Sequence, residues 1–289
     1  MFNVQFPKLG LEFQIQRVAV SVFGFDIYWY GLLIAIGVTI MLLTIFNRTP
    51  KLGINTDHFI DAVLFTTFGA IIGARAYYVA FAPFKYESLF DMINIRDGGL
   101  AIYGGVIGGI LLGLVACKWR KINVFDYCDL ILGATLIGQG VGRWGNFMNQ
   151  EAFGTNTDSI FGMISEGTTA YLKRVQPTLA AQGIMVDPSM PVHPTFLYES
   201  MWCILGFILL QLYFSRRKFK GEVACLYMIW YGVGRFFIEA LRTDSLEIFA
   251  GLRASQLVAV VSIIAGVSLI VYNRIRLKNK ATETDAEIQ

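Results

Sequence analysis

The pattern of hydrophobic and polar positions divides the chain into long apolar stretches separated by short polar segments. A helix needs about 20 apolar residues to cross the roughly 30 Å hydrocarbon core of a bilayer. Seven stretches are about that long, at 18–46, 59–82, 100–117, 126–143, 195–214, 222–241 and 255–273. The pattern predicts an all-α polytopic membrane protein with about seven transmembrane helices, and an odd number of crossings puts the two termini on opposite sides.

Basic residues follow alternate predicted spans. Short segments after the first, third, fifth and seventh spans contain thirteen of the 24 Lys and Arg residues. These are Arg48, Lys51, Lys118, Arg120, Lys121, Arg216, Arg217, Lys218, Lys220, Arg274, Arg276, Lys278 and Lys280. An excess of Lys and Arg in short loops marks the cytoplasmic side. We therefore expect the N-terminus outside and the C-terminus in the cytoplasm.

Two segments between or after the spans are polar. Residues 145–193 are rich in Gly, Thr, Ser, Asn and Pro and contain no run long enough to cross. We expect them to form a small extracytoplasmic head insertion in a single membrane domain that covers 1–289, followed by a cytoplasmic tail at 274–289. The four cysteines show no CxxC spacing, so we expect no disulfide, no metal site and no cofactor.

Composition makes the charged residues within the spans unusual. The chain is 55% hydrophobic and only 16% charged, which is more apolar than an ordinary soluble domain. A charged side chain at the centre of a span costs roughly 2.5–3.5 kcal/mol on insertion scales and marks a functional site by default. Arg75, Arg143 and Arg235 lie in the outer halves of predicted spans. We therefore take them as candidate site residues.

Polar residues accompany Arg143 along its helix. Gln139, Arg143 and Asn146 recur at spacings of four and three, which puts them on one helix face. The polar stripe continues into Asn149 and Glu151. Arg143 alone could extend to the membrane interface, but a polar stripe of this length favours a site.

A second charged cluster lies in the segment GRFFIEALR. Arg235 and Glu239 are four residues apart and share a helix face, and Arg242 follows them. The same spacing is also typical of a purely structural ion pair. Both interpretations stay open for Glu239.

Residues near the outer ends of other spans allow two interpretations each. Tyr30 is either part of an interfacial aromatic belt or a lining residue of a lipid site. Glycines at four-residue spacing in GGLAIYGGVIGGILLG are typical of close helix packing, but Gly104 and Gly105 could also admit a ligand to the backbone. His193, before the fifth span, is either a hydrogen-bonding anchor or a catalyst.

The residue types indicate the kind of ligand. Arginine is the side chain best suited to bidentate recognition of phosphate. A cluster of arginines facing the outer leaflet, without acidic residues in matching number, predicts an anionic lipid headgroup. The sequence contains no GxSxG, HExxH or P-loop motif, so the site is expected to act through charge and positioning.

Six segments resemble, in order and spacing, the bacterial phosphatidylglycerol:prolipoprotein diacylglyceryl transferases. They are YWYG (28–31), GARAYYV (73–79), GGLAIYGG (98–105), GRWGNFMNQEAFG (142–154), HPTFLYES (193–200) and YGVGRFFIEALR (231–242). The resemblance extends over nearly the whole chain, and the pattern GRxGNFxNxExxG is highly specific.

The resemblance implies a multi-pass enzyme of the bacterial cytoplasmic (inner) membrane. Such an enzyme transfers diacylglycerol from phosphatidylglycerol to the lipobox cysteine thiol of a preprolipoprotein, forms a thioether and releases glycerol 1-phosphate, as the first step of lipoprotein maturation. The implied partners are phosphatidylglycerol, lipobox-containing signal peptides and the bilayer, with no nucleic acid.

The resemblance also implies roles for individual residues. Arg143 and Arg235 match two essential arginines of the family. We expect the catalytic residues to be Arg143, Arg235, Tyr103 and Glu239. We expect the substrate-binding residues to be Tyr30, Arg75, Gly104, Gly105, Asn146, Asn149, Glu151, Gly154 and Arg242.

Tyr103 departs from the family pattern, because many members have a histidine there that is proposed as the base. An unperturbed tyrosine, with a pKa of about 10, is a poor base at neutral pH. We therefore expect the arginines to dominate, by binding the phosphate, stabilising charge on the leaving group and holding the glyceryl carbon near the sulfur. The thiol proton could pass to a carboxylate, to Tyr103 or to water.

Two other classes of function are compatible with charges inside membrane spans. A transporter or lipid flippase would show internal repeats and interrupted helices in matching halves, and the sequence shows neither. A receptor that only holds an anionic lipid would release no glycerol phosphate.

Overall fold

The structure, a computed structural model, describes residues 1–84, 86, 88–95, 98–181, 183–243, 247–249 and 252–288. Its α-helices are α1 (Trp29–Arg48), α2 (Thr56–Ala80), α3 (Leu89–Ile93), α4 (Ile102–Trp119), α5 (Val124–Asn149), α6 (Glu166–Ala181), α7 (Thr195–Tyr213), α8 (Glu222–Leu241) and α9 (Ala254–Ile288). Its strands are β1 (Phe2–Phe6), β2 (Leu11–Ile15), β3 (Val18–Val22), β4 (Phe25–Tyr28), β5 (Ile164–Ser165), β6 (Glu247–Phe249) and β7 (Leu252–Arg253).

Seven helices in the described part of the chain are long and apolar enough to cross a membrane. They are α1, α2, α4, α5, α7, α8 and α9. The prediction of an all-α membrane protein with about seven spans is confirmed. Helix α5 continues to Asn149, past the predicted start of the head at residue 145, and α9 continues through the predicted tail to Ile288. Gln289 lies outside the described residues, and the division into membrane domain, head and tail stays a prediction.

The first predicted span starts too early. Residues 18–28 form the antiparallel hairpin of β3 and β4, and α1 begins only at Trp29. Valines alternate with small residues along β3, a period of two that favours a strand. Phe23 and Gly24 form the turn with φ of +50° and +82°, as a two-residue hairpin turn requires. The predicted start at residue 18 was wrong because average hydropathy does not separate an apolar strand from an apolar helix.

Asparagine side chains define where two of the spanning helices begin. Asn55 Oδ1 accepts hydrogen bonds from the backbone N–H groups of Asp57 and His58, at 2.8 and 3.1 Å. Asn123 does the same before α5, for Phe125 at 3.0 Å and for the residue after it. These caps satisfy backbone donors that have no partner within the helix.

The chain forms two compact units, one of residues 45–130 and one of residues 1–44 with 131–289. In the unit of residues 45–130, α2 and α4 pack with their backbones in direct contact. A Cβ at Gly73 would lie 2.9 Å from the Cα of Gly108, and a Cβ at Gly69 would lie 2.7 Å from the Cβ of Leu112. Small residues at four-residue spacing allow this approach, so helix packing accounts for the inner glycines of α4.

In the other unit, the N-terminal strands join the predicted head. Strand β1 pairs with β2 and with β5 in a three-stranded antiparallel sheet of order β2-β1-β5. One apolar core connects this sheet to α6, the end of α5 and the start of α7. Its buried members are Val4, Phe6, Ile15, Phe147, Phe153, Met163, Leu172, Leu179, Val186, Val192 and Phe196. The end of α5 is thereby fixed by the head's core.

Two stacked tryptophans join α7 to α8. The rings of Trp202 and Trp230 lie 4.3 Å apart and nearly parallel. Each indole N–H donates to the backbone carbonyl of the other tryptophan, at 2.9 and 3.0 Å. Gly206 and Gly234 leave room for the two rings, because a Cβ at either position would overlap an indole. The stack fixes the register between the two helices.

Candidate active site

Three helices bring the two predicted arginines onto one carboxylate. Arg143 is on α5, Glu199 on α7 and Arg235 on α8. Arg143 Nε lies 2.6 Å from Glu199 Oε2, and Arg235 Nη1 lies 2.8 Å from Glu199 Oε1. The side chain of Glu199 is 6% exposed, whereas those of Arg143 and Arg235 are 22% and 20% exposed. The arginines are therefore held by a buried acid and still present surface to a ligand.

Glu239 is the second acid of the cluster. Its Oε2 lies 2.6 Å from Arg235 Nη2, the contact expected from their spacing of four residues. The angles of this ion pair do not make a hydrogen bond, and among the described residues no group donates one to this buried oxygen. Glu239 thus pairs electrostatically with Arg235, and its Oε2 can still accept a hydrogen bond.

Arg143 and Arg235 are matched by Glu199 and Glu239, so the formal charge of the four groups is zero. For these two arginines, the expectation that acidic residues are absent in matching number is therefore wrong. Glu199 comes from a different part of the chain, and only the packing of α7 between the other two helices brings it into the cluster.

The part of the predicted polar stripe from Arg143 to Glu151 forms a connected chain of side chains. Arg143 Nη1 lies 3.4 Å from Asn146 Oδ1, a long hydrogen bond. Asn146 Nδ2 donates to Glu151 Oε1 at 2.9 Å, and Asn149 Nδ2 lies 3.5 Å from the same oxygen. At the other end, Gln139 donates to the hydroxyl of Tyr227 at 3.1 Å. The stripe links Arg143 to the exposed Glu151, just after the end of α5.

Tyr30 lies against this stripe. A Cβ at Gly145 would lie 2.8 Å from the ring of Tyr30, so this glycine makes room for it. An open cavity of about 560 Å³ lies beside Tyr30. It is lined by Arg17, Ile27, Tyr28, Tyr30, Gly31, Leu32, Asn149 and Glu151. One part of the lining is apolar and the other polar, which suits an amphiphilic molecule.

Gly154 is a backbone junction. Its N–H donates to the carbonyl of His193 at 2.9 Å, and its backbone pairs with Arg242 as an isolated β-bridge. A Cβ there would lie 2.5 Å from the carbonyl oxygen of Leu241 and 2.9 Å from the Cβ of His193. Packing alone accounts for glycine at this position, and the expected substrate-binding roles of Gly154 and Arg242 stay predictions.

His193 has the surroundings of an anchor. Its backbone pairs with Gly154 and Thr155, and its Nδ1 lies 3.3 Å from the hydroxyl of Tyr198. Burial lowers the pKa of the His193 imidazole, because the charged form loses hydration. These contacts favour the hydrogen-bonding interpretation over catalysis.

Arg75 belongs to the other compact unit, residues 45–130. It donates to four backbone carbonyls at 2.6–3.0 Å, those of Asp91, Met92, Gly98 and Gly99. A guanidinium has five N–H donors, so most of its capacity serves to hold the segment around α3. A structural role accounts for Arg75, and its expected role in substrate binding stays a prediction.

Tyr103, Gly104 and Gly105 lie in the first turn of α4, in the same unit as Arg75. Tyr103 is 54% exposed, with its ring 6.4 Å from that of Tyr77. A Cβ at Gly104 would overlap the backbone of α2, whereas one at Gly105 would lie 3.4 Å from the carbonyl of Ala70. The roles expected for these three residues stay predictions.

Comparison with known proteins identifies the family. A family model described as prolipoprotein diacylglyceryl transferase matches residues 17–272. The chain is 42% identical over 265 residues to phosphatidylglycerol–prolipoprotein diacylglyceryl transferase 1 of Clostridium perfringens, which covers 91% of this chain and 96% of that protein. The chain therefore belongs to the prolipoprotein diacylglyceryl transferase family.

Further relatives with the same protein name cover most of the chain. The phosphatidylglycerol–prolipoprotein diacylglyceryl transferase of Bacillus cytotoxicus is 40% identical over 268 residues, with 92% of this chain and 95% of that protein covered. The protein of the same name from Staphylococcus aureus is 38% identical over 271 residues, with 93% of each chain covered. The resemblance of the six sequence segments to the prolipoprotein diacylglyceryl transferase family is thus confirmed.

Sequence reasoning missed the role of Glu199 in this family member. The residue lies in the segment HPTFLYES, and no function was expected of it. The signal was present, because an ionisable side chain inside an apolar span marks a functional site whatever the sign of its charge. Applied to acids as well as to arginines, that rule selects Glu199.

Proposed function

We propose that the protein transfers the diacylglyceryl group of phosphatidylglycerol to the lipobox cysteine thiol of a preprolipoprotein, as a transferase of the bacterial cytoplasmic membrane. The cysteine sulfur forms a bond to the glyceryl carbon that carries the phosphate. The bond from that carbon to the phosphate ester oxygen breaks, and its electron pair leaves with glycerol 1-phosphate. The thiol gives up its proton.

The observation that carries this proposal is the arginine pair Arg143 and Arg235, held on Glu199 and still partly exposed. Family membership and the names of the relatives support the same reaction.

The arginine pair suits the change of charge during the reaction. The phosphodiester of phosphatidylglycerol carries one negative charge, and a phosphate monoester carries about −1.5 to −2 at neutral pH. Cationic donors at the phosphate therefore stabilise the leaving group more strongly than the bound lipid, which lowers the barrier. Arg143 keeps its Nη2 without a hydrogen-bond partner among the described residues, so it can donate to a phosphate oxygen.

For the thiol proton, Glu239 is the better acceptor of the two acids. Both oxygens of Glu199 are engaged by guanidiniums, and protonation of this carboxylate would break one of these ion pairs. Among the described residues Glu239 has one ion pair, with Arg235, whereas Glu199 has two, and Glu239 Oε2 accepts no hydrogen bond from those residues. We therefore propose Glu239 as the carboxylate that receives the proton.

The basic segments after alternate spans support an orientation. We propose that the N-terminus and the head insertion of residues 145–193 lie outside the cytoplasm, and that the tail from residue 274 lies inside. The arginine pair then lies toward the outer leaflet, where a translocated signal peptide presents its cysteine.

The function is tested by transfer from labelled phosphatidylglycerol to a lipobox peptide, with glycerol phosphate release as the second readout. Replacement of Arg143 or Arg235 by Lys or Ala should lower turnover about a hundredfold or more, as loss of one charge-stabilising donor typically does. Arg120→Lys is the matched control, because Arg120 pairs with Asp61 outside the cluster. Near-normal turnover in all four site variants would refute the proposed role, and lipid binding without release would indicate a receptor.

A further inference from the structure

We propose that Glu199 is a positioning residue of the transfer reaction, which holds Arg143 and Arg235 so that both guanidiniums can engage one phosphate. The proposal rests on the proposed function. Its geometric basis is that the two oxygens of one buried carboxylate contact two different arginines, at 2.6 and 2.8 Å, from helices on either side.

The scaffold around Glu199 is tied to both arginine-bearing helices. Trp144 Nε1, next to Arg143 on α5, donates to the hydroxyl of Ser200 at 3.0 Å. On the other side, the reciprocal Trp202–Trp230 hydrogen bonds join α7 to α8. Glu199 lies one residue before Ser200 and three residues before Trp202 on α7. Its carboxylate position, and with it the separation of the arginines, is therefore set by packing.

Charge explains why an acid is needed there. Two guanidiniums that converge on one phosphate repel each other, and the repulsion is stronger in a site of low dielectric. Glu199 offsets it by contacting both. Without Glu199, Glu239 would remain as the acid that pairs with Arg235, and Arg143 would lose its ion pair. The arginines would then be free to separate, while the cluster would become more positive by one charge.

Loss of Glu199 is expected to affect kcat and KM differently. Glu199→Gln makes the cluster more cationic, so binding of the anionic lipid should be unchanged or tighter. Turnover should fall by about ten- to a hundredfold, because misplacement of positioning groups by about 1 Å has effects of that size. A fall in kcat with an unchanged or lower KM for phosphatidylglycerol is therefore expected, and the pH dependence of kcat should keep its shape.

Glu199→Asp separates geometry from charge. Aspartate keeps the negative charge but is one methylene shorter, so it cannot reach both arginines from the same backbone position. If Glu199 must contact both arginines, the kcat of Glu199→Asp is lower than that of the wild type. Wild-type kinetics in Glu199→Asp would show that charge alone suffices and would overturn the proposal.

Glu222→Gln is the matched control. Glu222 is another buried glutamate, 2% exposed in its side chain, and pairs with Arg274 away from the cluster. Its loss should lower thermal stability without changing kcat or KM of the folded enzyme. If Glu199→Gln behaves like this control, or if it abolishes a limb of the pH profile as loss of a base would, the positioning role is wrong. Wild-type enzyme that releases no glycerol phosphate would instead refute the proposed function.

A second inference concerns the hairpin of β3 and β4. We infer that its turn inserts into the interfacial layer of the membrane. Phe23 at the turn is 98% exposed and Phe25 is 78% exposed, and every residue of β4 is exposed. A two-stranded hairpin is at best marginally stable in water by itself, and a contiguous exposed apolar surface marks an interaction site.

Continuity of the chain identifies the lipid surface as the partner. Strand β4 ends at Tyr28 and the spanning helix α1 begins at Trp29, with no linker between them. The backbone N–H of Trp29 also donates to the carbonyl of Arg17 at 2.9 Å, which fixes the base of the hairpin to the start of the span. The distance between the apolar turn and the bilayer is therefore no longer than the short hairpin itself.

The test uses Phe23→Cys labelled with an environment-sensitive fluorophore, in enzyme reconstituted into phosphatidylglycerol–phosphatidylcholine vesicles. Quenching by nitroxide lipids and protection from a water-soluble quencher are expected. Lys173→Cys on α6, also exposed, is the control and should show the reverse. Equal quenching of both sites by the aqueous quencher would overturn the inference, as would protection of Phe23→Cys from the aqueous quencher without quenching by nitroxide lipids, which would indicate contact with protein.

Discussion

Arg143 and Arg235 lie in membrane-spanning helices, where an isolated charge costs roughly 2.5–3.5 kcal/mol. Pairing with Glu199 and Glu239 removes the net charge of the cluster and so lowers that cost. The same pairing leaves donors of Arg143 available for a phosphate. At the scale of single residues, one arrangement therefore makes the arginines compatible with the membrane and keeps them able to bind an anionic headgroup.

Glu239→Gln tests the proposed proton acceptor. Removal of a general base typically lowers turnover by about a hundredfold or more, and turnover should recover as the pH approaches the ordinary thiol pKa of about 8.5, because the thiolate then forms unaided. The measurement is kcat from pH 6 to 9, with Glu222→Gln as the control. A Glu239→Gln profile parallel to that of the wild type would exclude this role.

His193 should contribute a pH dependence to stability. Burial lowers its pKa in the folded state, so the fold favours the neutral imidazole, and protonation favours unfolding. The contribution of neutral His193 to the stability of the fold is complete above the ordinary pKa of about 6.5. It is lost as the pH falls through the lowered pKa of the folded state. Thermal unfolding midpoints from pH 7.5 to 5 should fall less in His193→Asn than in the wild type, and equal falls would contradict the assignment.

At the scale of elements, tight contacts between helices position the site. The Trp202–Trp230 stack fixes α7 against α8, and Trp144 ties α5 to α7 through Ser200. These three helices carry the arginine cluster, so the distances between its charges depend on how closely the helices approach. Glycine permits that approach wherever a larger residue would meet an aromatic ring.

Gly206→Ala and Gly234→Ala test the contact between α7 and α8. Each added Cβ would overlap an indole of the stacked pair, and overpacking of this kind typically destabilises by about 1–3 kcal/mol. Thermal unfolding in detergent should show a lower midpoint for both variants. Gly109→Ala is the control, because its Cβ would meet ordinary contacts at 3.5 Å. Equal midpoints in all three variants would mean that the stack can shift freely.

At the scale of the whole molecule, seven apolar helices and the distribution of basic residues describe a multi-pass membrane protein with a proposed orientation. The strands β1 and β2 share a core with the segment predicted as the head. The ring of Tyr30, at the start of α1, lies against Gly145, near the end of α5, so these two helix ends lie on the same side of the membrane. Packing of the N-terminal strands against the head segment thus constrains the topology of the spans.

The orientation is tested by labelling single cysteines with a membrane-impermeant maleimide. Lys173→Cys on α6 should react in intact cells, and Lys278→Cys in α9 should react only after permeabilisation. Of the native cysteines, Cys117, Cys203 and Cys225 are buried and Cys128 is partly exposed, so the protein without an added cysteine gives the background. The opposite labelling pattern would reverse the proposed topology.

The sequence by itself determined the class of protein, the number of spans and the family, and it selected Arg143 and Arg235 as candidate site residues. Hydropathy and motif spacing are local properties that need no knowledge of packing, so they could be read along the chain. The misplaced start of the first span has the same origin, because the hairpin of residues 18–28 is also apolar.

The tertiary structure alone decided which groups act together. Glu199 lies far along the chain from both Arg143 and Arg235, and their contact exists because α7 packs against α5 and α8. Packing likewise accounts for Gly154, and the backbone carbonyls around Arg75 accept hydrogen bonds from most of its donors. An ion pair between helices depends on side-chain distances in space, which the local pattern of a sequence does not specify.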